Sequence, residues 1–336
     1  MELYRDIREV RLPGPTFLTI GNFDGVHRGH QALLRRLLEA KAQSGRPQAR
    51  TAVMTFDPHP LQVLRPDASV RLLTTPEERM ETIGELGMDV GIIQPFTREL
   101  AELDPEAFVR LLEEHLGLAG LVVGPDFALG RGRSGTVEVL RELGRQHGFQ
   151  VHVVHPITWQ GQEVRSFTLR QLIQSGEVDR ARALLTRPYR LRGTVVRGDG
   201  RGRQIGIPTA NLRVDPLRLL PGDGVYATWA WVGGPPGKGH RFPSVTNVGV
   251  RPTVDGRGGR QVEVHLLAFP PPGQDGDLYG QELTVEFMAR LRDERRFPNL
   301  DALVAQIHRD VQAAQAVLQT SKPLQGPGPE ETPPEA

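Results

Sequence analysis

An apolar run, Thr16-Phe17-Leu18-Thr19-Ile20, passes into the leucine-rich stretch Gln31 to Leu38 through Gly21-Asn22-Phe23-Asp24-Gly25-Val26-His27-Arg28-Gly29-His30. The first run reads as a buried strand and the second as an amphipathic helix, so the glycine-rich turn between them is a helix N-terminus. Unpaired backbone N–H groups and the positive end of the helix dipole converge there, which stabilises a phosphate chain before any side chain is considered. His27 and His30, three residues apart near a helix start, project to one side and can hydrogen-bond adjacent phosphoryl oxygens, while Arg28 points elsewhere. Half of a metal site is the competing reading of two histidines, although the strand-turn-helix setting favours phosphate.

At 336 residues and 38% hydrophobic content the chain has enough for two packed domains and too little for three. It has no cysteine, which excludes a disulfide framework and thiol catalysis. With no long apolar run and no signal-peptide pattern, a soluble cytoplasmic protein without a membrane partner is expected. A net charge of +1 gives no electrostatic case for a nucleic-acid partner.

Strands and helices alternate up to about Val154, and closely spaced strand signals follow. Thr51 to Phe56, Val90 to Ile93, Leu121 to Val123 and Val151 to Val154 read as buried parallel strands of a doubly wound α/β sheet. Ligands of such sheets bind beyond the carboxyl ends of the strands, where the motifs of this half fall. Phe56-Asp57-Pro58-His59-Pro60 puts Asp57 and His59 at one such end, although turn chemistry accounts for it equally well. Gly124 to Gly135 supplies glycines for close approach and arginines for bidentate phosphate pairing, with a flexible basic loop as the alternative. A domain of residues 1–185 is therefore expected, then a β-rich domain of residues 186–320. The proline- and glutamate-rich residues 321–336 form an expected disordered tail.

In the second part Leu191 to Val196, Val225 to Trp231, Val262 to Leu267 and Leu283 to Phe287 predict a small closed barrel or sandwich, capped by a helix from Leu300 to Leu318. Gly198 to Gly206 suits a nucleotide phosphate loop and leads directly into Pro208-Thr209-Ala210-Asn211. Glu263 stands in Val262-Glu263-Val264, where alternation puts it opposite the valine face, at a polar barrel mouth. A solvent-facing strand glutamate is the plainer reading of that residue alone.

Gly-Asn-Phe-Asp-Gly followed by His-Arg-Gly-His closely resembles the signature of the HxGH nucleotidyltransferases, in the form used by prokaryotic bifunctional riboflavin kinase/FAD synthetases. The resemblance runs in order through TFDPHP, the Asp126-Phe127 to Arg133 stretch, Pro-Thr-Ala-Asn, Asn247 to Thr253, the Glu263 strand and Leu291 to Phe297. It implies a Rossmann-like adenylyltransferase domain followed by a riboflavin kinase barrel, with riboflavin, FMN, FAD and ATP as partners. ATP is then the co-substrate and Mg2+ the cofactor of both reactions. By the resemblance His27, His30 and Glu263 are catalytic, and Thr209 and Asn211 hold the metal. Gly21, Asn22, Phe23, Asp24, Gly25, Gly29, Ser166 and Arg170 bind one ATP, and Gly198, Gly200, Gly202, Arg203, Gly206 and Pro208 the other. Phe56, Asp57, Pro58, His59, Asp126, Phe127 and Arg133 meet the flavin in the first domain, and Arg292, Glu294 and Phe297 in the second.

One segment departs from the family. Where relatives read Ile-Ser-Ser-Thr-x-Ile-Arg, this chain reads Val164-Arg165-Ser166-Phe167-Thr168-Leu169-Arg170, keeping Ser166 and Arg170 but losing two hydroxyls to Arg165 and Phe167. Lost hydrogen bonds to phosphate, for which Arg165 or Thr168 can compensate in part, predict a slow or ATP-weak adenylyl transfer beside a normal kinase. The alternative reading is a riboflavin kinase with an impaired adenylyltransferase domain.

Overall fold

A computed structural model describes the chain apart from residues 13, 199, 201, 203, 204, 251–258, 271–275 and 321–336. Arg203, the Arg251-Pro252-Thr253 end of the family-like segment and the expected disordered tail lie outside the described residues. The chain folds as two compact units, one covering Met1–Ser166 and the other beginning at Phe167.

The first unit contains β1 (Glu2–Tyr4), β2 (Thr16–Ile20), α1 (Arg28–Gln43), β3 (Arg50–Asp57), α2 (Pro60–Leu64), α3 (Pro76–Glu85) and β4 (Val90–Pro95). It continues with α4 (Arg98–Glu102), α5 (Pro105–Leu116), β5 (Leu118–Val123), β6 (Ala128–Leu129), β7 (Gly135–Thr136), α6 (Val137–His147) and β8 (Gln150–Val153). The hairpin of β9 (Thr158–Trp159) and β10 (Gln162–Glu163) ends it. Six strands form one parallel sheet in the order β1-β4-β3-β2-β5-β8. Successive residues of its central strands serve opposite faces. Phe17, Val53, Ile93 and Val122 pack with Leu34 and Leu37 of α1 and Met80 and Ile83 of α3. Leu18, Ile20, Ala52, Met54, Leu121 and Val123 pack with Phe108 and Leu112 of α5 and Leu140 of α6. Burial on both faces explains why the strands read as nearly continuous apolar runs.

The second unit opens with α7 (Ser166–Gln174), whose first residue closes the first unit, and α8 (Val178–Leu185). β11 (Tyr189–Val196), β12 (Ala210–Val214), β13 (Gly224–Val232), β14 (His240–Val250), β15 (Arg260–Leu266), β16 (Glu282–Arg292) and α9 (Leu300–Thr320) follow. The strands close an antiparallel barrel in the order β11-β12-β15-β14-β13-β16, the ring being completed by β16 against β11. Of the two sequence alternatives, barrel and sandwich, the barrel is the one formed. Tyr226, Val264 and Phe287 are fully buried in its interior, with Tyr226 edge-on to Phe287 at 5.3 Å. Outside, Ala314 and Leu318 of α9 cover Val225, Ala227, Val245 and Met288.

Close packing of β2 on β5 carries β2 to the glycine-rich turn. A Cβ on Gly120 of β5 would stand 2.5 Å from the Phe17 ring, which is itself buried. Gly120→Ala is therefore expected to cost about 1–3 kcal/mol of unfolding free energy by overpacking, read from the midpoint of chemical denaturation.

Candidate active sites

The turn after β2 is held from below by a buried polar cluster. Asp24, 2% exposed, accepts hydrogen bonds from the Leu73 and Thr74 backbone N–H groups at 3.0 Å each and from the Thr74 hydroxyl at 3.1 Å. Arg79, also 2% exposed, pairs with Asp24 at 3.5 Å and donates to the Thr55 hydroxyl at 2.7 Å. That hydroxyl donates to the Asn22 carbonyl at 3.1 Å, and Thr74 Oγ1 accepts the Gly25 N–H at 3.0 Å. The clamp fixes a backbone that bends through positive φ at Phe23 (46°), Gly25 (86°) and Val26 (44°). Positive φ is unusual for any residue but glycine and most of all for a β-branched one, so the clamp must supply what the local chain does not.

The bend delivers two histidine rings to the start of α1. His27 is the N-cap, its Nδ1 accepting the His30 N–H at 3.4 Å, and the rings stack with centroids 3.6 Å apart. Phe23 meets His30 edge-on at 5.2 Å. An ideal Cβ on Gly29 would stand 3.2 Å from the His27 ring, so glycine leaves that ring its place. Arg28 does point elsewhere: it is buried with its guanidinium 4.0 Å from the centroid of the Trp159 ring. Ser166, at the start of α7, donates from Oγ to the Asp24 carbonyl at 3.1 Å. Of the residues expected to meet ATP here, Phe23 and Asp24 are buried beneath the turn, while Gly21, Asn22 and Gly29 are part of its open surface.

Beside the turn, at the carboxyl ends of the strands, lies a crevice of about 820 Å3 that brings Gly21 and Asn22 together with Phe56, His59, Asp126, Phe127 and Arg133. Asp57 and Pro58 are not among its lining residues. His59 also caps α2, its Nδ1 accepting the Leu61 N–H at 3.2 Å. Arg133 donates to the Asp126 carbonyl at 2.7 Å, which folds the loop after β5 back on itself.

In the barrel, Glu263 on β15 stands in register with Asn211 on β12 and with Asn247 on β14. The expectation of a barrel-mouth position needs correction. Val262 and Val264 face the barrel interior, and Glu263 faces outward into a cavity of about 600 Å3 bordered by residues of α9. Alternation separates the two faces of a strand but does not say which one the barrel encloses. Gly202, Thr209, Arg292, Glu294 and Phe297 line the same cavity. The glycine loop is pressed against the expected metal pair: a Cβ on Gly198 would overlap Asn211 Nδ2, and one on Gly202 would stand 3.2 Å from Thr209 Oγ1. Gly200 and Gly206 have φ of 71° and 74°. The Pro208 carbonyl meets His265 Nδ1 at 2.8 Å, and Arg170 lies on α7.

The far rim carries residues that sequence reasoning missed. Asp310 of α9, 4% exposed, accepts from Arg292 at 2.8–3.1 Å. Asn247 Nδ2 donates to Glu294 Oε1 at 3.0 Å, and the Arg292 and Arg295 guanidinium groups approach the Phe297 ring centroid to 5.7 and 5.0 Å. Asp310 was findable in principle as an acidic residue on the buried stripe of an amphipathic helix. Among the described residues no cluster of three or more His, Cys, Asp or Glu is arranged to hold a metal ion.

Two family models match: FAD synthetase over residues 10–168 and riboflavin kinase over residues 185–318. The bifunctional riboflavin kinase/FMN adenylyltransferase of Pseudomonas fluorescens is 39% identical over 304 residues, covering 90% of this chain and 93% of that protein. The Escherichia coli protein of the same name is 39% identical over 310 residues, covering 91% and 94%, and that of Bacillus subtilis 34% over 301, covering 88% and 90%. A Streptococcus pneumoniae crystal structure described as a macrolide-efflux protein superposes with a TM-score of 0.81 at 28% identity, covering 93% of this chain and 98% of that one. Among the described residues no helix here is long and apolar enough to cross a membrane.

Removing one member of a buried ion pair strands the other. Asp24→Ala should lose about 3–5 kcal/mol of stability in denaturant unfolding, and a second change, Arg79→Met, should recover part of that loss.

Proposed function

The chain belongs to the bifunctional riboflavin kinase/FMN adenylyltransferase family, and on that premise we propose how its residues divide the work of making FAD. It phosphorylates riboflavin with ATP to give FMN and ADP, then transfers the adenylyl group of a second ATP to FMN, giving FAD and pyrophosphate. The kinase reaction is assigned to the barrel. The observation that carries this reading is the register that flanks Glu263 at the cavity beneath α9, with an asparagine, Asn211 or Asn247, on each neighbouring strand.

A riboflavin hydroxyl attacks the γ-phosphorus of ATP as its proton passes to the Glu263 carboxylate, and ADP leaves. Gly198, Gly200, Gly202, Arg203 and Gly206 cradle the phosphates, with Pro208 fixing the approach of the strand that follows. The donor set of Thr209 and Asn211, packed against the glycine loop, suits Mg2+, a hard cation that takes few protein ligands alongside substrate phosphates. When bound, Mg2+ neutralises charge on the transferring phosphoryl group. Phe297 covers the flavin, while Arg292 and Glu294, through Asp310 and Asn247, hold that cover in place.

Adenylyl transfer is assigned to the turn of residues 21–30. An FMN phosphate oxygen attacks the α-phosphorus of ATP; being ionised already, it needs no strong base. His27 and His30 stabilise charge on the bridging and leaving oxygens, and Gly21, Asn22 and Gly29 let the phosphates reach the backbone, while Gly25, buried with its N–H on Thr74, serves the bend of the turn. Phe23 and Asp24 act through the shape of the turn, and Ser166, bonded to the Asp24 carbonyl, completes the ATP site within this unit. The flavin lies in the neighbouring crevice against Phe56, His59, Asp126, Phe127 and Arg133, with Asp57 and Pro58 setting the course of the chain between Phe56 and His59. The cytoplasm, which supplies ATP, is the compartment this chemistry suits.

The assignments separate by mutation. Glu263→Gln should abolish FMN formation from riboflavin and leave FMN-to-FAD conversion in place, as read by chromatography of both products. A mutant that keeps its kinase rate, or loses both steps, would remove Glu263 from the role of base. His30→Ala should do the reverse, lowering FAD synthesis roughly 100-fold or more, as deletion of an oxyanion donor does elsewhere. Near-normal FAD output would take the histidine pair out of the mechanism.

A further inference from the structure

The segment that departs from its family borders the histidine turn. An ideal Cβ on Gly29 would stand 3.4 Å from the Val164 carbonyl, and Ser166 Oγ donates to the Asp24 carbonyl. The residues on either side of Arg165 therefore abut the turn. Arg165 itself pairs through Nε with Glu163 Oε1 at 2.7 Å, the two side chains being 60% and 35% exposed. The Glu163 hydrogen bond, and then the charges of Glu163 and Asp126, raise the Arg165 pKa, which puts the guanidinium in the field of a residue that lines the strand-end crevice. Glu163 is itself anchored. It sits on β10, paired with β9, whose Trp159 covers the buried Arg28 between the two histidines.

We propose that Arg165 is an ATP-phosphate ligand of the adenylyl-transfer site, held by Glu163 at the edge of the turn until the triphosphate arrives, and that it replaces the hydroxyls this segment has lost. An exposed ion pair contributes little, so Arg165 leaves Glu163 at small cost. A triphosphate offers higher charge and bidentate acceptor geometry, which a guanidinium fork matches and a serine hydroxyl does not. On this proposal the donor has changed type rather than disappeared, the compensation by Arg165 that the sequence left open. Phe167, 66% exposed, supplies no such donor. The proposal rests on the reading of the His27/His30 turn as the adenylyl-transfer site.

The test is ATP dependence of FAD formation from FMN in the full chain, with riboflavin phosphorylation by the same preparations as a control for folding. Arg165→Ala, which removes the guanidinium without putting back the relatives' hydroxyl, should raise KM for ATP about tenfold or more with kcat changed far less, as expected when a charged hydrogen bond to a bound substrate is lost. Arg165→Lys should retain part of the affinity. Glu163→Gln, which frees the guanidinium, should leave KM for ATP unchanged or lower, and should have no effect in the Arg165→Ala background. A KM within about twofold of wild type in Arg165→Ala would overturn the proposal. So would a Glu163→Gln enzyme whose KM rises as far as that of Arg165→Ala, since the pair would then be a clasp for the hairpin. A His30→Ala enzyme with undiminished FAD synthesis would overturn the underlying reading and the proposal with it, whatever Arg165→Ala does.

Discussion

The pairing of Asp24 with Arg79, both shut away from solvent, is the constraint on which the first unit's chemistry depends. Each group brings a desolvation cost, and each is matched: the carboxylate by two backbone N–H groups and a hydroxyl, the guanidinium by Thr55, Thr74 and the carboxylate. What this polar cluster secures is conformation. Phe23 and Val26 occupy backbone angles that cost of order 1–3 kcal/mol each, and these bends carry the chain from the end of β2 to the N-cap of α1. The stacked histidines sit at the far end of that bend, so their position is inherited from groups that have no chemical task themselves.

The barrel solves the same problem through its strands. Glu263 has a hydrogen-bonded strand on each side, and the side chains beside it are set by register rather than by a loop. The rim is held by side-chain ties: Arg292 to Asp310, Glu294 to Asn247, and Arg295 and Arg309 to Gln306. The groups assigned to proton transfer thus lie on the regular scaffold, and those assigned to covering the substrate lie on the part with fewer backbone constraints.

Local patterns in the sequence carried much of this. The Thr16 to Ile20 run, the glycine turn and the leucines of α1 are contiguous, and the buried strands of the parallel sheet read directly as apolar runs. Less was legible wherever a role depends on distant residues. Thr55, Thr74 and Arg79 have no pattern that ties them to Asp24, because the link is made by packing across α3 and β3. β14 carries Pro243 inside it, and a proline ordinarily argues against a central strand. β12 begins within the Pro-Thr-Ala-Asn motif, just after the glycine-rich stretch, with no turn signal to mark its start. The face of Glu263 was ambiguous for the reason that alternation is symmetric, and only the position of α9 distinguishes the outer wall from the interior.

Gly249 shows how little separates the present shape of the kinase cavity from a different one. An ideal Cβ there would overlap Glu294 Oε1, so the carboxylate of the rim is seated in the volume that any other residue's side chain would fill. The width of the cavity mouth is thus encoded by a missing carbon on a strand that bears none of the proposed reacting groups. A lineage, or an engineer, seeking to reshape that mouth has in this position a route that leaves the proposed proton acceptor and the proposed phosphate loop untouched.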